Sequence, residues 1–187
     1  MTERTRATEF LSASGVPFSV HDYEYAPGGG LIGMQAASSI GVDPACVLKT
    51  LVVEVDRTTP VCLVVPADHK VNFKKVAALF GGRNARMMSP EKSAGLTGFR
   101  SGGTSPFGQL TQLPVVLSGT AMAQPRVYIN AGDQGWWSAL PRRMRKRWWT
   151  PAWPTSRRPL PRPAPPSQSK INLLSPCCPE HDRDRDI

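Results

Sequence analysis

The chain has 187 residues, 40% of them hydrophobic, and a formal net charge of +9. That length suffices for one domain with a real core plus some tail, and no apolar run is long enough to cross a bilayer. The start, MTERTRATEF, is charged and passes straight into an amphipathic pattern, and the four cysteines form no CxxC pair. The expectation is a cytoplasmic protein without a signal peptide, membrane contact, metal site, disulfide framework or cofactor.

The charge is unevenly spread. Residues 1–135 carry 12 Lys and Arg against 10 Asp and Glu, whereas residues 136–187 carry 11 against 4. The basic surplus that would point to nucleic acid therefore belongs mostly to the tail.

Up to Gly135 the pattern is that of an α/β domain. Arg4 to Ser14 reads as a helix closed by Gly15 and Pro17. PFSVHDYEY alternates as a strand, and Met34 to Ile40 makes a short helix ending at Gly41. VLKTLVVEVD and VCLVVPA are apolar, β-branched runs separated by the turn residues Arg57 to Pro60, which predicts neighbouring strands. Asn72 caps a helix through Phe80, stopped by Gly81-Gly82. Ser89-Pro90 starts another, and LPVVLSG and RVYINAG are later strands.

After Gly135 the composition changes. All five tryptophans fall between Trp136 and Trp153, and ten of the 19 prolines lie in the same tail. RRMRKR and SRRPLPRPAPP have no apolar period, so residues 136–187 are expected to be disordered. A tail rich in Trp, Arg and Pro is what a GC-rich gene yields out of frame. Trp has one codon, TGG, so reading one nucleotide upstream forces Val within each Trp-Trp pair, Asp across Trp149-Thr150 and Ala across Trp153-Pro154. With other codons chosen freely, Trp136 to Pro154 can read LVVRLAPEDAEAVVDASLA, a strand followed by an amphipathic helix begun by proline. The expectation is a frameshift near the codons for Asp133 to Gly135; the alternative is a natural basic, Pro-rich extension that binds nucleic acid or a partner.

The most distinctive chemistry lies in SGGTSPFGQ, Ser101 to Gln109. Gly102 and Gly103 let their amides approach a ligand, and Pro106 stiffens the loop, so several N–H groups can meet a carbonyl oxygen or a phosphate. No GKS, GKT or GxGxxG accompanies it, which excludes a Walker loop and a dinucleotide fingerprint. Taken alone, such a loop is also an ordinary hairpin connector. Lys49 interrupts an apolar strand and must snorkel, pair or line a cleft; an edge-strand lysine facing water is the other reading. Tyr23 and His21 alternate on one strand, where a packing tyrosine and an idle histidine are the plainer readings. Lys70, Lys74 and Lys75 touch an RNA backbone or solvate a helix face. Cys46 and Cys62 read as packing residues. With no Ser–His–Asp order, metal triad or carboxylate pair, an enzyme built from these pieces works by positioning and oxyanion stabilisation, which suits an activated ester.

FSVHDYEY, VLKTLVVEV, VVPADHKVNFKKVAALFG and GFRSGGTSPFGQ, in this order, resemble the YbaK family, related to the editing domain inserted in bacterial prolyl-tRNA synthetase. The match spans about Phe10 to Gly135. The resemblance implies a strongly curved mixed β-sheet or partial barrel with packed helices, and hydrolysis of the ester joining a wrong amino acid to the 3′ adenosine of tRNA. It gives Lys49 the role of binding the 3′ end. Gly102 and Gly103 become the loop whose amides hold the ester carbonyl, and Tyr23, Ser105 and Pro106 become substrate contacts. The YbaK branch acts on Cys-tRNA(Pro), with the substrate's own thiol attacking the carbonyl; a sister branch removes Ala. VHDYEYAP and LKTL look closer to the former. The implied partners are aminoacyl-tRNA and prolyl-tRNA synthetase, and an inactive tRNA- or synthetase-binding module is the competing reading. Family members continue past the GDQG-like turn with a strand and a closing helix, so the odd tail predicts an open sheet edge, poor stability and aggregation.

Overall fold

In the computed structural model the described residues are 4–24, 32–141 and 174–176. The helices are α1 (Arg6–Ala13), α2 (Ile32–Ile40), α3 (Phe73–Leu79), α4 (Pro90–Thr97) and α5 (Gly119–Ala123). The strands are β1 (Ser19–Asp22), β2 (Val47–Val55), β3 (Thr59–Pro66), β4 (His69–Val71), β5 (Ala85–Met87), β6 (Val115–Leu117), β7 (Arg126–Asn130), β8 (Trp136–Pro141) and β9 (Leu174–Pro176).

Local chemistry accounts for the helix starts. Thr5 and Thr8 form a reciprocal capping box on α1, and the Asn72 and Ser89 side chains accept from the third backbone N–H of α3 and α4. The tight turn between β2 and β3 has Asp56 and Arg57 at φ 49° and 63°, with Thr58 N–H donating to Val55 O at 3.1 Å. Neither residue is glycine, so the conformation needs support. The Asp56 carboxylate supplies it by accepting the backbone N–H groups of Arg83 and Asn84, bonds that hold its pKa below the ordinary value.

Seven strands make one mixed sheet in the order β1-β8-β7-β2-β3-β6, with β5 beside the far end of β2. Most pairings are antiparallel, but β2–β7 and β3–β6 are parallel. Successive residues of β2 point to opposite faces. Leu48 and Val52 join Cys62, Val64, Ile129 and Phe107 in a core closed by α1. Val53 and Val55 pack under α3, while Val47 packs with Tyr128 and Trp137 under α2. The expected mixed sheet with helices on it is therefore present.

The tail expectation needs correcting at its start. Residues 136–141 are a strand, not disordered chain: β8 pairs with β7 on one side and β1 on the other, and Trp137 through Leu140 are buried. The apolar stretch WWSAL has enough strand character to fill the vacant edge despite its odd composition. The predicted open edge after Gly135 is thus occupied. Leu174–Pro176 also pairs, as β9, antiparallel to β4. The expectation of disorder for 142–173 and 177–187 falls outside the described residues, as does the expected loss of the closing helix.

One buried charge makes a testable point. Glu54, on β2, is only 4% exposed and is bonded by Arg86 Nε at 2.6 Å, with Lys92 at 3.7 Å. The Arg86 hydrogen bond, set against the opposing pull of burial, holds the Glu54 carboxyl below its ordinary pKa. A depressed carboxyl stabilises the fold above its unfolded pKa of about 4.3 and loses that contribution as pH falls through the folded value. Urea midpoints should decline below about pH 4.5, and Glu54→Gln should flatten that decline.

Candidate functional site

Lys49 lies on β2, half-buried, and its Nζ donates to Ala67 O at 3.0 Å and His69 O at 2.6 Å. It snorkels to the carbonyls of the turn between β3 and β4 rather than standing at an edge, since β2 is a central strand. Side-chain direction follows from register. In the parallel β2–β7 pair Val47 faces Tyr128 and Leu48 faces Ile129, so the next residues along the two strands are Lys49 and Asn130. Val47 and Tyr128 belong to the cluster under α2; by alternation Lys49 and Asn130 point to that same face.

The diglycine loop meets this face through Asn130, whose Nδ2 donates to Gly102 O at 2.9 Å. The first turn of α2 touches both sides. A Cβ on Gly33 would come within 2.7 Å of the Ala67 Cβ, and one on Gly102 within 3.3 Å of Ile32 Cδ1. Lys49 and Gly102, 53 positions apart in sequence, are thus held on one face of the sheet on either side of the α2 N-terminus.

The loop's residues divide by what they do. Gly102, half-buried with φ +85°, has the backbone that favours glycine, and its N–H makes no hydrogen bond to other described residues. Gly103 is different: its N–H donates to Arg100 O at 3.0 Å and closes the turn, so it is not available to a substrate carbonyl. A Cβ there would lie 2.9 Å from Asp133 Cα, a backbone atom that cannot swing aside. Gly103→Ala is therefore expected to cost about 1–3 kcal/mol and to displace the 132–135 turn, seen as a lowered Tm with loss of whatever activity the loop supports.

Ser105 and Pro106 are buried, contrary to a role in touching substrate. The Ser105 hydroxyl accepts from Phe107 N–H at 3.4 Å and its carbonyl from Gln109 Nε2 at 3.3 Å. Gln109 Oε1 in turn accepts from Leu113 N–H at 3.1 Å. These residues brace the loop from inside the core. Beneath them Cys62 is fully buried, and desolvation pushes its thiol up to about 12, which keeps it protonated and inert.

Tyr23 is half-buried and packs against the apolar cluster under α2, with its N–H donating to Gly135 O at 3.0 Å. His21 stacks edge-on against Tyr128 at 5.3 Å and lies 3.0 Å from Ser19 Oγ. Lys70, Lys74 and Lys75 are exposed, the last two on α3, which covers the same sheet face as Lys49. Among the described residues no group of three or more His, Cys, Asp or Glu could hold a metal, and no helix is long and apolar enough to cross a membrane. Two surface hollows lie elsewhere: one of about 830 Å³ between α1 and β1, another of about 350 Å³ lined by Glu54, Arg86 and Lys92. Neither is lined by Lys49 or the diglycine loop, so neither is assigned to the reaction.

Asn130 escaped the sequence reading, as did the contacts of the GDQG turn with the diglycine loop. The signal available was an asparagine ending an apolar strand just before a glycine-rich turn, INAGDQG.

Comparison with known proteins places these features. The chain is 27% identical over 133 residues to EbsC of Enterococcus faecalis, which carries the provisional name Cys-tRNA(Pro)/Cys-tRNA(Cys) deacylase; the match covers 71% of this chain and 80% of that protein. A shorter match, 36% identical over 74 residues, covers 40% of this chain and 46% of the uncharacterised protein YwhH of Bacillus subtilis. The fold is shared with a solved structure provisionally described as a trans-editing enzyme for prolyl tRNA synthetase, at a TM-score of 0.63 and 23% identity, over 74% of this chain and 86% of that one. It is shared also with the hypothetical protein APE2540, at 0.66 and 20%, over 76% and 93%. The sequence profile of the aminoacyl-tRNA editing domain matches residues 34–141, more than half of the chain and through the end of β8. The chain belongs to the aminoacyl-tRNA editing domain family.

Proposed function

We propose that this protein is an aminoacyl-tRNA deacylase that cleaves the ester between a wrongly attached amino acid and the terminal adenosine of tRNA, with Cys-tRNA(Pro) as preferred substrate. The observation that carries the reading is the placement of Lys49 and Gly102 on one face of the sheet, Gly102 being held there by Asn130. The Lys49 ammonium, braced on two carbonyls, offers fixed positive charge to the phosphate or ribose oxygens of the 3′ end. The Gly102 N–H is the donor for the carbonyl oxygen as it gains charge. In this reading the aminoacyl group lies beside Tyr23, which is half-buried against the apolar cluster under α2. Exposed Lys70, Lys74 and Lys75 suit the phosphates of the acceptor arm.

This machinery positions an ester without supplying a strong nucleophile, which fits a substrate that carries its own. The cysteinyl thiol attacks its ester carbonyl, the bond from carbonyl carbon to ribose oxygen breaks, and that oxygen takes the thiol proton. The name of the E. faecalis relative supports Cys over Ala, and the trans-editing neighbour supports action on tRNA charged by prolyl-tRNA synthetase.

Incubating the protein with Cys-tRNA(Pro) and Ala-tRNA(Pro) tests the reading. Faster release of Cys is expected; equal release of both would replace the thiol route by water attack. Salt-sensitive tRNA binding with no turnover of either would identify a binding module instead.

A further inference from the structure

We propose that Asn130 is the positioning residue of this site, whose carboxamide sets the diglycine turn at the height of Lys49; the inference rests on the deacylase reading for its catalytic consequence. Asn130 ends β7 in the middle of the sheet and is only 4% exposed. Its Nδ2 donates to Gly102 O at 2.9 Å and to Asp133 O at 3.1 Å, and its Oδ1 accepts from Gly132 N–H at 2.8 Å. Two carbonyl acceptors and one N–H donor fix which end of the amide is which, because no flipped orientation satisfies all three.

The carboxamide thereby ties two segments distant in sequence. Around it, Gln134 Nε2 donates to Ser101 O at 2.9 Å, and Arg100 pairs with Asp133 at 3.1 Å. Those two contacts are exposed and worth little, whereas the Asn130 side chain is buried and its part-buried bonds are costly to leave unmade. Gly103 packs on the Asp133 backbone with no room for a side chain. The turn at 101–103 therefore sits where Asn130 holds it. Because Lys49 and Asn130 each follow the paired residues Leu48↔Ile129 on adjacent strands, the strand spacing of about 4.8 Å and one asparagine side chain link the two catalytic elements. Asn130 gives its hydrogen bonds to backbone groups and acts on substrate only through the loop.

Asn130→Asp is the discriminating variant. It keeps the acceptor for Gly132 N–H, removes both donors and turns a carboxylate toward two carbonyls. At about pH 8 it is expected to lower kcat on Cys-tRNA(Pro) on the order of 10²-fold with little change in KM, and to speed amide hydrogen exchange at 101–104 while β2 and β3 stay protected. A buried carboxyl with such neighbours titrates high, so toward pH 5.5 or so the protonated form regains a donor and part of the lost rate relative to wild type. Asn130→Ser, too short to reach and uncharged, should show the same loop exchange without the pH-dependent recovery; it also serves if the Asp variant fails to fold. A folded variant with wild-type exchange at 101–104 overturns the proposal. Should the wild-type chain deacylate nothing, the deacylase reading falls alone, and the exchange measurement still decides whether Asn130 holds the loop.

Discussion

Lys49→Ala is expected to reduce deacylation of Cys-tRNA(Pro) by at least about 10²-fold, well beyond any effect on folding. The ammonium is the positive group on the candidate face that β2 fixes from within the sheet, held at 3.0 and 2.6 Å by the carbonyls of Ala67 and His69. Removing it leaves those two acceptors short of a donor, a structural cost of about 1–3 kcal/mol that a melting curve will register. The catalytic loss is separable from that cost. Lys49→Met keeps the stem that packs along the sheet and removes only the charge, so it should retain most of the stability and little of the activity. Lys49→Arg should not restore the rate, because a longer, planar side chain with delocalised charge does not reproduce the compact ammonium held on two carbonyls. A folded Lys49→Ala enzyme working at the wild-type rate would refute the site.

Restoring the upstream reading frame after Gly135 is expected to raise stability by several kcal/mol. In β8 the indole N–H of Trp137 and the hydroxyl of Ser138 are buried with no hydrogen-bond partner among the described residues, each costing roughly 1–3 kcal/mol. In the upstream frame the codon at position 137 must specify valine, and a TCN serine codon makes position 138 valine too. Both are β-branched, carry no polar atom and suit a central strand. The frame that removes these orphaned groups is thus the one that, with suitable codons, can also encode an amphipathic helix beyond the strand. Two chains compared by urea midpoint, one with the frame restored by a single inserted nucleotide, measure the gain; equal midpoints would favour a natural extension. Sequencing the DNA across codons 130 to 140 decides the origin directly.

Elements whose signals are local were readable before any fold was known. Asn72 and Ser89-Pro90 cap helices that form where expected, and the β-branched runs around Asp56 and Arg57 pair residue for residue from Leu48↔Pro66 to Val55↔Thr59. Three-residue strands such as β4 and β5 were not readable, since so short a run has no period and exists only by pairing with its neighbour. β8 was missed because Trp, Arg and Pro dominate its surroundings and masked a run of five apolar or small residues. At the site, Lys49 and Gly102 were legible by residue type, but the means of joining them was not. Asn130 reaches Gly102 from 28 positions away, and nothing near it in the chain marks an asparagine as a bridge. Ser105 and Pro106 were assigned outward by their place in a motif, whereas burial turns them inward.

β1 pairs with β8 alone among the described strands. β1 precedes every other described strand and must therefore wait for the last strand of the sheet, over a hundred residues later, before its backbone groups find partners. Closing so long a loop makes the final step of assembly slow, and until then the amino-terminal hairpin-less segment is open to proteases and chaperones. A nascent chain arrested before Trp136 should be cut readily near Ser19–Asp22, and one extended past Pro141 should resist.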